Sequence, residues 1–182
     1  MKPTHPTAAG FTIIELMVTI AVLSVLLGIG VPAFQNMIRN NRIATQANAV
    51  VTALNYARGE TATRGVPVSI CAVRAGTQDS TTPVCDGNAA GWANGWVIFT
   101  DRSGDPGVID GSDVVLQTGS GPTGGFALET TASFIRFGVG AQQTTEVTFN
   151  LRPLDSSFCT ATGRREISIS LTGRINTSKS TC

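Results

Sequence analysis

The chain has 182 residues, a formal net charge of +1 and only 14% charged residues. That near-neutral balance excludes binding of a polyanion through bulk charge, and the length leaves room for one domain of ordinary size beside an apolar segment. The single histidine is His5, so no Ser-His or Cys-His catalytic pair can be built from the residues that follow it.

The chain begins with a short polar stretch, Met1–Gly10, that contains Lys2 and His5 and ends in Ala-Ala-Gly. Phe11–Val31 follows (FTIIELMVTIAVLSVLLGIGV), 21 residues with one charge, Glu15. At about 1.5 Å per residue this run crosses a hydrocarbon core of roughly 30 Å as a helix. A carboxylate near the middle of a span costs about 3 kcal/mol, and Glu15 sits closer to the edge, where the cost falls. A secretory signal places its small-residue cut site after the apolar stretch. Here the small residue, Gly10, lies before it. Cutting after Gly10 removes the polar leader and keeps the apolar helix. Phe11 then becomes the amino terminus, with Glu15 one helical turn away on the same face.

Gly10-Phe11-Thr12-Ile13-Ile14-Glu15-Leu16 resembles the processing motif of type IV pilins and pseudopilins. The resemblance implies that a prepilin peptidase cuts between Gly10 and Phe11 and methylates the new amine. It implies that Glu15 pairs with a terminal amine during assembly, and that Pro32 bends the helix. It also implies an inner-membrane, single-pass protein with a periplasmic head, which later enters a filament among other major and minor pilins.

Beyond Pro32, apolar Phe34, Met37, Ile38, Ala44, Ala47, Val51, Leu54 and Ala57 recur at 3- and 4-residue spacing, with Arg39, Asn40, Gln46, Asn48 and Asn55 opposite. The pattern predicts one long helix from about Phe11 to Thr63, bent near Pro32, with residues 32–64 an amphipathic continuation packed on a sheet. Gly65 followed by Pro67 reads as its stop. Residues 65–182 read as a β-rich head. Short β-type runs occur at Val66–Val73, Trp96–Thr100, Val114–Gln117, Phe126–Leu128, Ser133–Phe137, Glu146–Leu151, Glu166–Leu171 and Arg174–Thr177. Thr162-Gly163-Arg164 and Thr172-Gly173-Arg174 read as turns flanking the penultimate strand. The expected fold is α+β, a long amino-terminal helix whose first half spans a membrane and whose second half packs on antiparallel strands.

The cysteines are Cys71, Cys85, Cys159 and Cys182, with no CxxC pair. Their number and spacing disfavour zinc and suit disulfides in an exported head. Four cysteines allow three pairings. Cys71–Cys85 and Cys159–Cys182 are the expected ones, because each closes a local loop.

Within the pilin class the chain resembles the FimT/FimU/GspH family. The residues that carry this are Tyr56–Gly65 (YARGETATRG), Gly91-Trp92 followed by Gly95-Trp96-Val97-Ile98-Phe99-Thr100-Asp101, and Thr172-Gly173-Arg174-Ile175. The resemblance implies a minor pilin engaged in pilus assembly. Two alternatives accompany it, a minor pseudopilin of type II secretion and a DNA-binding minor pilin for natural transformation. For the last, some FimT proteins use a carboxy-terminal Gly-Arg-x-Arg motif. This chain has Gly173-Arg174-Ile175-Asn176, so the first arginine matches and the second does not. Arg164, Arg165, Arg174 and Lys179 are the candidate DNA contacts, lying on or beside turns of neighbouring strands in positions that could form one patch.

Three constellations remain. Asp101–Asp113 (DRSGDPGVIDGSD) lacks the regular acidic register of a calcium loop and reads as a solvated hairpin loop. Gly119–Gly125 (GSGPTGG) lacks the lysine of a phosphate loop and reads as a turn. No catalytic set, metal site or cofactor motif emerges, so the expected role is structural rather than enzymatic.

Overall fold

The computed structural model describes residues 10–102, 104–140, 145–155, 159 and 163–181. The leader residues 1–9 and Cys182 lie outside them. The chain forms two compact units, one ending at Arg39 and one spanning Asn40–Cys182.

A single helix, α1 (Ile13–Arg64), passes through both units and continues through Pro32. In the first unit it is exposed on every side and long and apolar enough to cross a membrane. In the second unit it is amphipathic. Ile43, Ala47, Val50, Ala53, Leu54, Ala57 and Thr61 are buried, while Asn41, Thr45, Asn48, Thr52 and Asn55 face outward. The helix ends where Gly65 takes a φ of 65° and donates its N–H to the Thr61 carbonyl at 3.0 Å. A side chain resists that left-handed conformation, which is why glycine stands there.

The head holds two four-stranded antiparallel sheets. The first has the order β3-β2-β1-β5, from β1 (Val68–Ala72), β2 (Gly95–Thr100), β3 (Val115–Ser120) and β5 (Phe134–Phe137). The second has the order β4-β6-β7-β8, from β4 (Phe126–Glu129), β6 (Val147–Pro153), β7 (Arg164–Ile169) and β8 (Ile175–Ser180). One core joins α1 to both sheets. It includes Leu54, Ile70, Ile98, Phe137, Phe149, Leu151 and Ile167. Trp92 lies in it too, on a 3-10 turn at Ala89–Ala93 that Asn88 caps. Its indole N–H donates to the Ala132 carbonyl at 2.7 Å, and its ring meets Phe149 edge-on at 4.9 Å.

The strands differ from the expected pattern where tertiary partners decide. β1 and β2 are buried on both faces rather than alternating. Cys71, Val97 and Phe99 form a second small core on the far side of the first sheet, with Ile109, Val115 and Phe134 packed against it. β3 runs on to Ser120, through residues expected in a turn, because Gly119 and Ser120 pair with Trp96 and Gly95. Gly119 is required there, since the Trp96 ring occupies the space a Cβ would need, 2.1 Å away. β7 begins at Arg164 rather than Glu166. Arg165 pairs with Leu151 on one side and Lys179 on the other, so Arg164 and Arg165 are strand residues and not turn residues.

Cys71–Cys85 is a disulfide, as expected. Cys159 is also disulfide-bonded. Closing the 14-residue separation between Cys71 and Cys85 stabilises the fold by about 3 kcal/mol in the chain-entropy account. The Cys71→Ala/Cys85→Ala variant is expected to unfold at a clearly lower temperature, and circular dichroism of the full chain in detergent measures the shift.

Candidate functional site

The sequence motif occupies the start of α1. Phe11 is 82% exposed and Gly10 is exposed beside it. Thr12 stands immediately before the helix, and its carbonyl accepts the Leu16 N–H at 3.2 Å. The Thr12 hydroxyl accepts the Glu15 N–H at 3.3 Å. The Glu15 carboxylate in turn accepts the Thr12 N–H at 3.5 Å and the Thr12 hydroxyl at 3.4 Å. This reciprocal arrangement is a capping box, Thr-x-x-Glu, in which each residue satisfies a backbone donor that the helix leaves open. The spacing was present in the sequence but went unread as a cap. Glu15 therefore has a local task at the positive end of the helix dipole, and its carboxylate remains exposed. Pro32 has no N–H to give, and the carbonyl it leaves unpaired is that of Gly28.

The head does not gather the candidate basic residues. Arg165 is 7% exposed, because strand alternation turns it inward with Ile167 and Ile169, and its guanidinium donates to the Arg164 carbonyl at 3.1 Å. Arg164 lies on the opposite face and donates to the Asn150 side chain at 3.0 Å. On that face Arg152 pairs with Glu129 at 2.5 Å. The hydrogen bond from Arg152 holds the Glu129 carboxyl below its ordinary value. Burial opposes this, and the charges of Arg152 and Arg164 add to it by smaller amounts. Lys179 is exposed beside Arg165 at the start of β7. Arg174 is exposed in the β7–β8 turn, at the other end of that strand pair. At about 3.3 Å per residue, the strand separates Arg174 from Arg164 and Lys179 by roughly 17 Å. The expected single patch is thus two separate cationic positions.

Sequence reasoning also missed how the aspartate-rich loop is held. Asp101 is 1% exposed. One carboxylate oxygen accepts the Ser69 hydroxyl at 2.5 Å and the Gly107 N–H at 3.0 Å, and lies 3.3 Å from Arg136 Nε. Arg136 also donates to the Asp101 carbonyl at 2.9 Å. Asp113 accepts the Arg102 and Asp110 N–H groups, and Asp110 accepts that of Asp105. The loop joins the paired strands β2 and β3 and is exposed over most of its described residues, a solvated hairpin loop as expected, and these bonds give it internal structure. Asp101 carries no sequence signal beyond following β2. Among the described residues, no group of three or more His, Cys, Asp or Glu is placed to hold a metal ion.

Residues 46–173 match the family model described as type II transport protein GspH, and residues 6–31 match the prokaryotic N-terminal methylation motif. The chain belongs to the GspH family, and it carries the methylation motif ahead of that domain. It is 38% identical over 82 residues to prepilin peptidase-dependent protein D of Escherichia coli K12. That match spans 45% of this chain and 46% of the relative, about half the length of each. The fold is that of the type IV minor pilin FimU of Pseudomonas aeruginosa PAO1. Two crystal forms align at TM-scores of 0.56 and 0.53 with 22% identity, covering 76% and 74% of this chain and 90% and 91% of FimU.

Losing an N-cap hydroxyl costs about 1 kcal/mol of helix end stability, about a fivefold change in local opening. Thr12→Ala is expected to speed amide exchange at Ile13–Leu16 by about that factor and to leave the Asn40–Arg64 amides unchanged. Hydrogen exchange of the full chain in detergent reads both regions at once.

Proposed function

We propose that this protein is a minor subunit of a type IV pilus-class filament. In this reading a prepilin peptidase cuts between Gly10 and Phe11 and methylates the Phe11 amine. Residues 11–31 hold the subunit in the inner membrane, with the head in the periplasm, until it is drawn into a filament beside other pilins. Its task is assembly, not catalysis. The observation that carries the reading is the conjunction of the methylation motif with a GspH-family head on one helix. Between Gly10 and Arg39 that helix has a single charge, Glu15.

The mechanism follows from where that charge stands. An apolar helix gains little by leaving lipid for a bundle of similar helices, so packing and polar pairing must select the arrangement. Glu15 lies one turn from the amine that cleavage creates. In the filament its carboxylate meets such an amine in a setting of low dielectric, where the pair attracts far more strongly than in water. One alternative, in keeping with the family description, is a secretion pseudopilus in place of a pilus. A second alternative, DNA reception, draws on Arg164, Arg174 and Lys179, which stand at the two ends of the β7–β8 pair.

Native protein purified from membranes is expected to begin at N-methylated Phe11. Gly10→Val is expected to leave it starting at Met1. Glu15→Gln is expected to be cleaved normally and yet to be absent from sheared filaments. Mass spectrometry of the membrane and filament fractions tests all three, and a native chain that still begins at Met1 refutes the reading. Deleting the gene separates the systems: loss of surface pili marks a pilus subunit, and loss of secretion with pili intact marks a pseudopilus subunit.

A further inference from the structure

A groove of about 880 Å³ opens between two loops on the far side of the first sheet. One wall is the segment closed by the Cys71–Cys85 disulfide, and the other is the loop between β2 and β3. The floor is apolar, from Cys85, Ile109 and Val115. Val84, Val108 and Val114 stand on the sides, 38%, 46% and 51% exposed. Exposed apolar side chains gathered in a concave site mark a place that another molecule covers. The disulfide holds one wall and the loop's own hydrogen bonds hold the other, so an occupant meets a preformed site and loses little to ordering it.

Charge decides which molecule fits. Asp86, Asp110 and Asp113 line the groove against one cation, Arg74. Asp110 and Asp113 accept backbone N–H groups of their own loop, which fixes them in place without neutralising them. A fixed anionic rim repels nucleic acid and anionic lipid headgroups and attracts cations. Among the described residues, no three acids are placed to hold a metal ion. The matching occupant is a peptide segment with an apolar side chain beside a lysine or arginine. We propose that the groove receives such a basic, apolar turn from the head of a different pilin, with the apolar side chain on Ile109 and Val115 and the cation against Asp86, Asp110 and Asp113. The inference rests on the filament-subunit reading, in which α1 holds this head beside those of other pilins. Tethered neighbours meet at about millimolar effective concentration, so even a weak contact between them is occupied. Apolar helices gain little from one bundle partner over another, and so they discriminate poorly between subunits. A charged socket on the head supplies that discrimination and gives a minor subunit one fixed neighbour.

The test places photoreactive benzoylphenylalanine at Val108 of the full-length chain in its own cells, where the other pilins are present. Illumination is expected to join the chain to one pilin of different sequence, at a turn of that pilin's head that carries Lys or Arg. Asp86→Lys is expected to lower the yield about tenfold or more, the scale of an opposed charge at an interface. Replacing the mapped cation with Glu is expected to restore it. Asp86→Asn, which removes a charge and adds none, is expected to lower the yield by less, and it keeps the test valid where Asp86→Lys fails to accumulate. No adduct, an adduct to a second copy of this chain, to lipid or to DNA, an adduct to a segment without Lys or Arg, or a yield that the Asp86 variants leave unchanged overturns the proposal. Mass analysis of the same samples reports the amino terminus separately. A chain starting at Phe11 with no adduct sinks the docking contact alone, whereas a chain starting at Met1 with the adduct sinks the filament reading and leaves the contact standing.

Discussion

The buried stripe of α1 is the constraint on which the head depends. Among the described residues the two sheets share no hydrogen-bonded strand pair, so side-chain burial holds them together. Ile43, Ala47, Val50, Leu54 and Ala57 form the strip against which both sheets close, and Trp92 fills the remaining gap with its ring on Phe149. Burying one large aliphatic side chain is worth about 1.5–3 kcal/mol, comparable with the cost of ordering one or two residues of backbone. A few such side chains, repeated along about four turns of helix, therefore decide whether two independent sheets become one domain. Thr61 shows the same fit in polar terms. Buried at the end of the stripe, its hydroxyl donates to the Ala57 and Phe137 carbonyls.

With one face of the first sheet closed by the helix, the other face is left apolar, and the chain covers it with loops instead of a second helix. Loops bring unpaired backbone groups, so this solution requires acceptors placed under them. Asp101 supplies one from inside the sheet, where Arg136 and Ser69 hold it, and Asp110 and Asp113 supply others from within the loop. The acidic composition of 101–113 thus follows from folding a loop onto a sheet. The disulfide does the equivalent work covalently for the neighbouring segment, where β-type pairing is reduced to a single bridge between Val73 and Cys85. Two differently secured covers leave a groove between them, and its anionic rim comes from the same carboxylates that secure one of its walls.

Much of this was legible because it is periodic. The 3- and 4-residue spacing of α1 located the helix, Gly65 located its end, and each of the eight strands overlaps a β-type run. What was not legible has no period. The 3-10 turn at Ala89–Ala93 is too short to show one, although Asn88 announces its cap. The burial of β1 and β2 on both faces depends on the loops that cover the face of the first sheet away from the helix. The basic cluster failed on register: once Arg165 pairs with Leu151, alternation sends it inward, and no property of arginine overrides that. The methylation motif was legible for a different reason, since it is defined by the order of residues along the chain and not by a tertiary arrangement.

Under the proposed assembly, the capping box lets one carboxylate serve both an isolated helix and an assembled one. Under the proposed processing, the cut falls two residues ahead of Ile13, outside every hydrogen bond of the first turn. The helix end is therefore the same before and after cleavage. What changes is charge, because a free amine now stands at the positive end of the helix dipole, where a cation is unfavourable. Glu15, already held over that end by Thr12, is the only charge close enough in sequence to offset it. Its bonds to Thr12 are long, 3.4 and 3.5 Å, so giving them up costs little compared with the attraction of a second amine across a bundle. A short, strong cap would hold the carboxylate at home, and no cap would leave it uncompensated in lipid. Weak local bonds keep it oriented and available, which is the property that a subunit moving from membrane to filament requires.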